Sequence, residues 1–426
     1  PFVGRQYELR MLKELLAVAG EERRARLVSI VGDAGIGKSR LAWEFQKYVD
    51  GIVEKVYWHQ GRSPAYRDGV TLRALSEMVR QRAGIGELED QQKARLRLRT
   101  AVAEYVDNAE ERRWIEPRLA GLLGLDPMPP GDRSELYAAI RTFFQRIAER
   151  GTVVLVLEDV HWADDGLIEF VEELVERSPR HPILVLSLAR PELLERAEGW
   201  VGGRPNLTSL HLGPIAESAM RELVEGTVRG LDAVVLNDIV DRAAGVPLYA
   251  VEMIRMLVTD GTLVANGDST FRVEGDVASI AVPDSLQAVI GARIDRLDPE
   301  LRDLLKNAAV LGQSFTVEGL GVVTGESPDS LSGRLSRLVS AEVLRFETDP
   351  RSPERNQYKF VQSLIREVAY SRLTRAERKE RHLAVADYFD GIGEVELTTV
   401  VASHLFDAYR ADPDALPATI DAVRGA

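Results

Sequence analysis

The sequence lacks several features that would place it in well-known classes of protein. It contains no cysteine, which excludes disulfides, thiolate zinc sites, iron–sulfur clusters and cysteine nucleophiles. It has no apolar run near the roughly 18 residues that a membrane-spanning helix needs. Its six histidines show no spacing typical of a metal pair, which argues against a zinc site. The chemistry of this chain therefore has to come from other residues.

An excess of positive charge is also missing. The chain has 54 lysines and arginines against 67 aspartates and glutamates, and its formal net charge is −13. Coating nucleic acid or an anionic membrane requires a basic surface, so both tasks are disfavoured. The basic stretch from Arg366 to His382 also carries glutamates, which is typical of a solvated helix face.

The composition is that of a folded protein. Of the 426 residues, 45% are apolar and 28% are charged, and this length predicts two or three domains. The first residue is Pro1, no signal peptide follows it, and residues 414–426 resemble a helix without a cap. We therefore expect a cytoplasmic piece of a longer protein, with further segments on both sides.

Short apolar runs alternate with amphipathic helical segments in the first half of the chain. Residues 152–157 and 183–188 lack polar alternation, which is typical of strands buried on both faces of a parallel sheet. This alternation predicts a doubly wound α/β architecture for residues 1–213, with a helical insert at about 69–150. The other strand candidates are residues 26–32, 53–58 and 206–212.

The pattern changes after residue 213. Three helical segments and a hairpin around Asn266-Gly267 predict a small all-helical lid domain at residues 214–280. Further helices, followed by two short strands around a polar loop, predict a winged-helix domain at residues 281–395. Residues 396–426 are expected to begin a helical, tetratricopeptide-like region, although no repeat period is visible.

The strongest motif matches the phosphate-loop pattern in full and lies between a predicted strand and a predicted helix. Its glycines let backbone amides point at phosphate oxygens, and the following helix N-terminus adds positive potential. We expect Lys38 to reach the β- and γ-phosphates and Ser39 to ligate Mg²⁺. The motif reads Gly32-Asp33-Ala34-Gly35-Ile36-Gly37-Lys38-Ser39.

Two acids end the buried run at residues 153–157. The sequence places Glu158 and Asp159 there, and we expect this strand to neighbour the strand that precedes the phosphate loop. One acid would hold Mg²⁺, and the other would orient or deprotonate the attacking water. Asp164 and Asp165 are candidates for the N-cap of the next helix.

A single arginine follows another buried strand. Arg190 comes directly after residues 183–189 and before Pro191, so we expect it at the same edge of the sheet. A guanidinium there can sense the γ-phosphate and stabilise charge during transfer. His161-Trp162, by contrast, is interpreted as packing and turn chemistry.

In chain order, these motifs resemble those of the signal-transduction ATPases with numerous domains (STAND), which belong to the AAA+ group. The resemblance covers nearly the whole chain. It is strongest to the bacterial ATPase module that lies behind class III adenylate/guanylate cyclase domains and ahead of tetratricopeptide-like repeats. The matching segments are Phe2-Val3-Gly4-Arg5 with Glu8-Leu9, the phosphate loop, residues 158–164, Arg190-Pro191-Glu192-Leu193, Gly245-Val246-Pro247-Leu248 and residues 360–370.

The resemblance implies roles for individual residues. Val3 and Arg5 would lie near the adenine, and Pro247 would pack on it from the lid. Arg190 would be the first sensor, and Arg40 would join the nucleotide contacts directly after the phosphate loop. The winged helix would fold back on ADP and hold the module closed, and exchange for ATP would open it.

Two positions depart from the family's pattern. Glu158 stands where many relatives have aspartate, and the longer side chain is expected to alter the Mg²⁺ geometry and slow hydrolysis. Gln362 stands where many relatives have a histidine that contacts the β-phosphate, and glutamine carries no charge. Gln362 is therefore a weaker candidate for the contact that locks ADP in place.

Together these features predict an ATP-binding regulatory switch that hydrolyses ATP slowly with Mg²⁺. The resemblance adds a class III nucleotide cyclase as output domain before Pro1, repeats after Ala426 that bind a protein ligand, and an oligomer in the ATP state. Two other functions stay open: a nucleotide-binding scaffold without turnover, and an initiator-like DNA-binding AAA+ ATPase. The negative net charge weighs against the second.

Overall fold

The computed structural model describes residues 1–63, 72–86, 89–197, 200, 206–266, 270–274, 285–349, 352, 354–392 and 398–412. Helices and strands alternate in the first part of the chain, as the hydrophobic pattern predicts. The elements there are α1 (Gln6–Glu21), β1 (Arg26–Val31), α2 (Lys38–Gly51), β2 (Val56–Arg62), α3 (Arg73–Ala83), α4 (Gln91–Tyr105), α5 (Ala109–Leu122), α6 (Arg133–Ala148), β3 (Thr152–Glu158), α7 (Asp165–Glu176), β4 (Ile183–Ala189), α8 (Glu192–Arg196) and β5 (Leu207–His211).

The five strands form one parallel sheet in the order β2-β3-β4-β1-β5. The predicted parallel α/β fold is therefore confirmed. One expectation about it is wrong: β3, which carries the acids, does not neighbour β1, because β4 lies between them. The hydrophobic runs of the strands are alike, so the sequence pattern does not indicate which strands pair with each other.

Side chains from the strands pack alternately on the two faces of the sheet. On one face Val153 and Leu155 join a cluster with the helices α3–α7, and on the other face Val154 and Val156 join a cluster with α1 and α2. Both faces are therefore covered by helices, which explains the uninterrupted apolar runs. The helices α3–α6 occupy the region predicted as a helical insert.

A second core follows the sheet. The helices α9 (Glu217–Thr227), α10 (Ala233–Ala243) and α11 (Pro247–Thr259) pack together with an antiparallel hairpin of β6 (Leu263–Ala265) and β7 (Phe271–Val273). Val3, from the first residues of the chain, belongs to this core and not to that of the sheet. The N-terminal segment thus links the two.

A third core surrounds a three-stranded sheet in the order β8-β10-β9. We call the part from Leu286 to Ser371 the small-sheet region. Its elements are α12 (Leu286–Asp295), α13 (Pro299–Leu311), β8 (Ser314–Phe315), α14 (Val317–Thr324), α15 (Pro328–Ser340), β9 (Leu344–Phe346), β10 (Tyr358–Phe360) and α16 (Ser363–Ser371).

The last described elements are two long helices that pack against each other, α17 (Arg375–Ile392) and α18 (Thr398–Ala411). His382 and His404 are buried between them, and their Nδ1 atoms lie 2.7 Å apart. Within the part of the chain that the structure describes, every helix falls short of the length or the hydropathy that a bilayer crossing demands.

Several boundaries differ from the sequence-based expectation. The second strand begins at Val56 and not at Val53, whose side chain is fully exposed. The helical pattern from Leu364 to Asp390 is divided into two helices, α16 and α17. The strand β8 was not predicted, because two residues show no periodicity. The expected start of the insert at residue 69, the turn at residue 267, the boundary at 280 and the helix at 414–426 lie outside the described residues.

Candidate functional site

The phosphate loop connects β1 to α2 in a conformation that requires glycine. Gly35 and Gly37 have φ angles of 80° and 107°, which residues with a Cβ rarely adopt. A Cβ at Gly32 would approach the carbonyl oxygen of Leu212 to 2.7 Å, whereas a Cβ at Gly37 would meet nothing within 4 Å. The loop is thus packed at its start and open where α2 begins, beside the helix N-terminus that favours anions.

Lys38 folds back over its own loop. Its Nζ donates to the carbonyl oxygens of Gly32 at 2.6 Å and Asp33 at 2.9 Å. Burial, together with the nearby Arg190 cation, lowers the pKa of Lys38 to about 8. The ammonium group is therefore placed where it lacks a full counter-charge, which a phosphate would supply.

The acids at the end of β3 share one arginine. The guanidinium of Arg62, the last residue of β2, donates to the carboxylate of Glu158, and its Nε lies 3.5 Å from Oδ2 of Asp159. Asp159 has a φ of 56°, which is uncommon for a residue other than glycine. Such backbone conformations cluster at functional sites.

This arrangement gives the two carboxyl groups opposite pKa shifts. Burial raises the pKa of Asp159 to about 6, and the Glu158 charge adds to this, although Arg62 opposes it. Burial would also raise the pKa of Glu158, but Arg62 and Lys359 outweigh burial and lower it. One acid is thus held ionised, and its neighbour titrates near neutrality, as a general base requires.

Arg190 occupies the middle of the site because β4 lies between β1 and β3. Its guanidinium carbon lies 5.4 Å from the centre of the Trp162 ring, and its Nη2 donates to Oε1 of Glu367 at 2.5 Å. Glu367 belongs to α16, so the pair links the large sheet to the small-sheet region. The expected position of Arg190 at the carboxyl edge of the sheet is what the structure has.

The N-terminal segment and the α9–α11 helices close another side of the site. Arg5 is buried and donates to the carbonyl oxygens of Gly213 and, at 3.4 Å, Ile36. Leu248, in the first turn of α11, donates its amide to Gly35 at 3.2 Å. The start of α11, with Pro247 as its first residue, therefore rests directly on the phosphate loop.

The small-sheet region supplies the remaining side. The amide nitrogen of Gln362 donates to Oε1 of Glu252 at 3.1 Å, and this carboxylate on α11 is fully buried and also binds Arg293 at 2.8 Å. Lys359, on β10, donates to Glu354 at 2.7 Å. The donor group of Gln362 is thus engaged with α11.

These elements enclose one cavity of about 690 Å³. Every residue predicted to bind nucleotide or Mg²⁺ lines it except Gly32 and Asp33. The predicted residues that it brings together are Val3, Arg5, Ala34, Gly35, Ile36, Gly37, Lys38, Ser39, Arg40, Glu158, Asp159, Arg190, Pro247 and Gln362.

The cavity suits a nucleoside phosphate chemically. Phe2, Val3 and Leu223 provide apolar surface at the N-terminal segment and α9. Lys38 provides a cation at the loop, and Arg62 provides one beside the acids. Nε and Nη1 of Arg62 are buried and have no hydrogen-bond partner among the described residues. Such donors fit phosphate oxygens.

Magnesium fits the donor set only together with a nucleotide. No group of three or more His, Cys, Asp or Glu side chains in the described residues is arranged to hold a metal ion. Mg²⁺ commonly uses one or two protein ligands together with substrate phosphates and water. Ser39, Glu158 and Asp159 match that pattern.

Sequence reasoning missed Arg62, Glu252 and Glu367, which contact the predicted site residues. Arg62 was overlooked because it lay outside the predicted strand, and ending β2 at residue 62 would have placed it beside the acids. Glu252 and Glu367 lie on helices far away in the sequence, where a single carboxylate carries no motif. The sequence identified only their partners, Gln362 and Arg190, as candidate site residues.

Residues 1–186 match the family model described as AAA ATPase domain. An uncharacterized protein of Rhizobium meliloti (strain 1021) is 25% identical over 401 residues, which is 90% of this chain and 36% of that protein. The chain thus spans about a third of the length of this relative.

A solved structure shares the fold at low sequence identity. A STAND protein with a tetratricopeptide repeat sensor from Pyrococcus horikoshii aligns with a TM-score of 0.53 and 14% identity, over 99% of this chain and 50% of that one. The Orc1 protein of Aeropyrum pernix, solved in complex with DNA, aligns with a TM-score of 0.40 and 16% identity, over 87% and 93%. The part of the chain that carries the phosphate loop and the acidic strand end is thus the part that is similar to AAA ATPase domains.

Proposed function

We propose that this chain is an ATP-binding regulatory module that hydrolyses ATP slowly with Mg²⁺. The observation that carries the proposal is that one cavity is lined by the phosphate loop, the acids after β3, the start of α11 and the small-sheet region together. A ligand that touches all four can change how they are arranged, which is what a switch requires.

The residues divide the work by their chemistry. Backbone amides of the loop and Lys38 bind the β- and γ-phosphates, and Arg190 lies where charge develops during transfer. Bound Mg²⁺ would supply charge neutralisation on the phosphates. Asp159, with its raised pKa, orients the attacking water and accepts its proton, while Glu158 stays ionised beside Arg62.

Slow turnover follows from the contacts of the acids. Arg62 holds Glu158 and approaches Asp159, so both carboxylates have a cation before any metal ion arrives. Mg²⁺ therefore has to compete with a guanidinium, and Asp159 is partly protonated near neutral pH. Both effects lower the population of the reactive arrangement.

The domain organisation is part of the proposal. The separate cores support a nucleotide-binding domain at residues 1–213, a helical lid at 214–280 and a winged-helix domain at 281–395. The packed pair α17 and α18 supports the start of a helical repeat from residue 396 onward. In this arrangement the winged helix closes the cavity over the nucleotide.

The module would couple a sensor to an output domain. The STAND protein of Pyrococcus horikoshii has a tetratricopeptide repeat sensor and is twice as long as the aligned part. By analogy we propose repeats after residue 426 that bind a protein ligand, a class III nucleotide cyclase before residue 1, and an oligomer in the ATP state. The sequence of the full gene product tests the two flanking domains directly.

Phosphate release from MgATP tests the enzymatic part against a scaffold without turnover. We expect slow release by the wild type and background release by Lys38→Ala and Asp159→Asn. Asp159→Asn is expected to keep binding ATP, which separates lost chemistry from lost binding. A wild type that turns over no faster than Lys38→Ala would leave the scaffold as the better description.

A DNA-binding role is the competing proposal, because an initiator-like ATPase also joins such a core to a winged helix. Lys359 and Arg345, which belong to the strands of the small sheet, line the cavity and pair with glutamates. They are thus turned toward the nucleotide in this arrangement. Duplex DNA binding that weakens steeply with salt would favour the competing role.

A further inference from the structure

The contact between Arg190 and Glu367 pairs the arginine with a carboxylate of the small-sheet region. Nη2 of Arg190 lies 2.5 Å from Oε1 of Glu367, and both side chains are mostly buried, with 18% and 25% of their surface exposed. Charge-assisted hydrogen bonds of this kind are among the stronger ones in proteins. Arg190 therefore has a full counter-charge without any phosphate.

Arg190 also faces the phosphate loop. It lines the same cavity as Lys38 and Ser39, and its charge helps to lower the pKa of the Lys38 ammonium. An anion bound at the end of Lys38 is consequently within electrostatic reach of Arg190. The guanidinium thus stands between two positions for negative charge, one on α16 and one at the phosphate loop.

Glu367 cannot easily move away by itself, because α16 is fixed to its own region. Arg366, the preceding residue, donates through Nε to the carbonyl oxygen of Ala309 at 3.0 Å. Arg372, at the end of α16, binds Asp295 of α12 through both of its terminal nitrogens. Movement of the α16 backbone away from Arg190 therefore requires the small-sheet region to move with it.

We propose that Glu367 determines how strongly the site discriminates between ATP and ADP, by holding Arg190 in competition with the γ-phosphate. The inference rests on the proposed function. ADP leaves the Arg190–Glu367 pair intact, because its terminal phosphate is bound at the loop by Lys38. ATP brings a further anion toward Arg190, which either draws the guanidinium away from Glu367 or is repelled by the carboxylate.

Replacing the carboxylate with an amide isolates the effect of its charge. Glu367→Gln keeps the size of the side chain and an oxygen that accepts from Arg190. We expect its dissociation constant for MgATP to fall by about fivefold to tenfold, and that for MgADP to stay within about twofold of the wild type. Glu367→Asp, which keeps the charge, is expected to restore most of the discrimination.

Asp295→Asn is the matched control. It removes a carboxylate from Arg372, the residue directly after α16, but that ion pair lies away from the cavity. If Glu367 only held α16 in place, this control would change the ratio of the two affinities in the same way. We expect the control to leave the ratio unchanged.

A measurement without nucleotide tests the contact itself. Urea unfolding of Arg190→Gln, Glu367→Gln and the double variant forms a double-mutant cycle. We expect the two changes to be non-additive, because each one removes the same ion pair between unlike charges. Additive effects would mean that the pair does not form in the resting protein, which would overturn the inference.

Calorimetric titration of wild type, Glu367→Gln, Glu367→Asp and Asp295→Asn with MgATP and MgADP is the deciding experiment. A larger preference for ATP in Glu367→Gln alone supports the role of Glu367. A ratio equal to that of the wild type overturns it, although the wild type would still bind nucleotide and the proposed function would stand. A wild type that binds neither nucleotide contradicts the proposed function and the inference together.

Discussion

The large sheet and the small-sheet region face each other across the cavity, and they treat their charged groups differently. On the side of the large sheet, burial moves Lys38 and Asp159 toward their neutral forms, with pKa values of about 8 and about 6. On the side of the small-sheet region, Lys359 and Glu367 each have a partner of opposite charge within 2.7 Å.

This difference separates what a nucleotide relieves from what it disturbs. A buried charged group without a full counter-charge is stabilised when a ligand supplies that counter-charge. Ligand binding is therefore favoured on the side of the large sheet. Groups that are already paired gain nothing and lose a partner if the ligand takes it. Under the proposed function, the first side would therefore attract the nucleotide, and the second side would respond to it.

The largest expected effect concerns Lys38. Lys38→Ala removes the ammonium group that lacks a full counter-charge, and we expect nucleotide affinity to fall by about 100-fold or more, as for a lost charge-assisted contact. Lys47→Ala, on the same helix, removes an exposed lysine that pairs with Glu44, and its affinity should match the wild type. Calorimetry measures both. Equal affinities of the two variants would remove Lys38 from the site.

The next effect concerns the buried carboxylate that joins α11 to the small-sheet region. Glu252→Ala leaves Arg293 and Gln362 without their buried partner, and we expect a loss of about 3–5 kcal/mol in the free energy of unfolding. Arg255 pairs with Glu252 at 3.1 Å and with the exposed Glu342 at 2.9 Å. Glu342→Ala removes only the exposed partner, and it should lower the free energy of unfolding by at most about 1 kcal/mol. Urea denaturation compares them. A small loss of stability in Glu252→Ala would show that the small-sheet region is not attached to α11 by these charged pairs.

Replacing Asp159 should increase the stability of the folded protein in a pH-dependent way. Because the folded state raises its pKa from 3.8 to about 6, wild-type stability falls as the pH rises through this window. Asp159→Asn escapes that loss, so we expect it to be as stable as the wild type below pH 4 and more stable by about 1–3 kcal/mol above pH 6, in the absence of nucleotide.

Asp295→Asn should show the opposite sign. The hydrogen bond from Arg372 lowers the pKa of Asp295, so this carboxylate contributes stability above its unfolded pKa and loses it as the pH falls. The variant should therefore be less stable than the wild type at neutral pH and equal to it in acid. Denaturation at several pH values tests both variants. A pH-independent difference for Asp159→Asn would contradict the burial of its charge.

The smallest effect lies outside the cavity and serves as a reference. Asp164 accepts the amide of Leu167 at 2.9 Å and is the N-cap of α7, so Asp164→Ala should lower the free energy of unfolding by about 1 kcal/mol. Asp165→Ala removes only a favourable charge from the first turn, and we expect a loss of about 0.3 kcal/mol. Equal losses would mean that the cap contributes no more than the charge.

Much of the large sheet could be predicted from the sequence because local physics determines it. The uninterrupted apolar runs of β3 and β4 identify buried strands, and the glycines at residues 32, 35 and 37 meet close packing or positive φ angles. The N-cap role of Asp164 was also predicted, since a cap depends on residues only three positions apart.

The pairing of β1 with β4 and the contacts between distant regions could not be predicted. The Arg190–Glu367 pair joins residues 177 positions apart, and the Gln362–Glu252 pair joins residues 110 positions apart. Such contacts depend on how whole bodies pack, and no local propensity or spacing encodes that. Sequence reasoning therefore described the large sheet and its phosphate loop better than the contacts of the small-sheet region.

Amide hydrogen exchange with MgATP and with MgADP tests whether the small-sheet region responds to the γ-phosphate. If the small-sheet region responds to the γ-phosphate, β10 and α16 should exchange faster with MgATP than with MgADP, while α7, which lies outside the cavity, should exchange equally in both. Equal exchange of β10 and α16 in the two states, with both nucleotides bound, would contradict the account of this module as a switch.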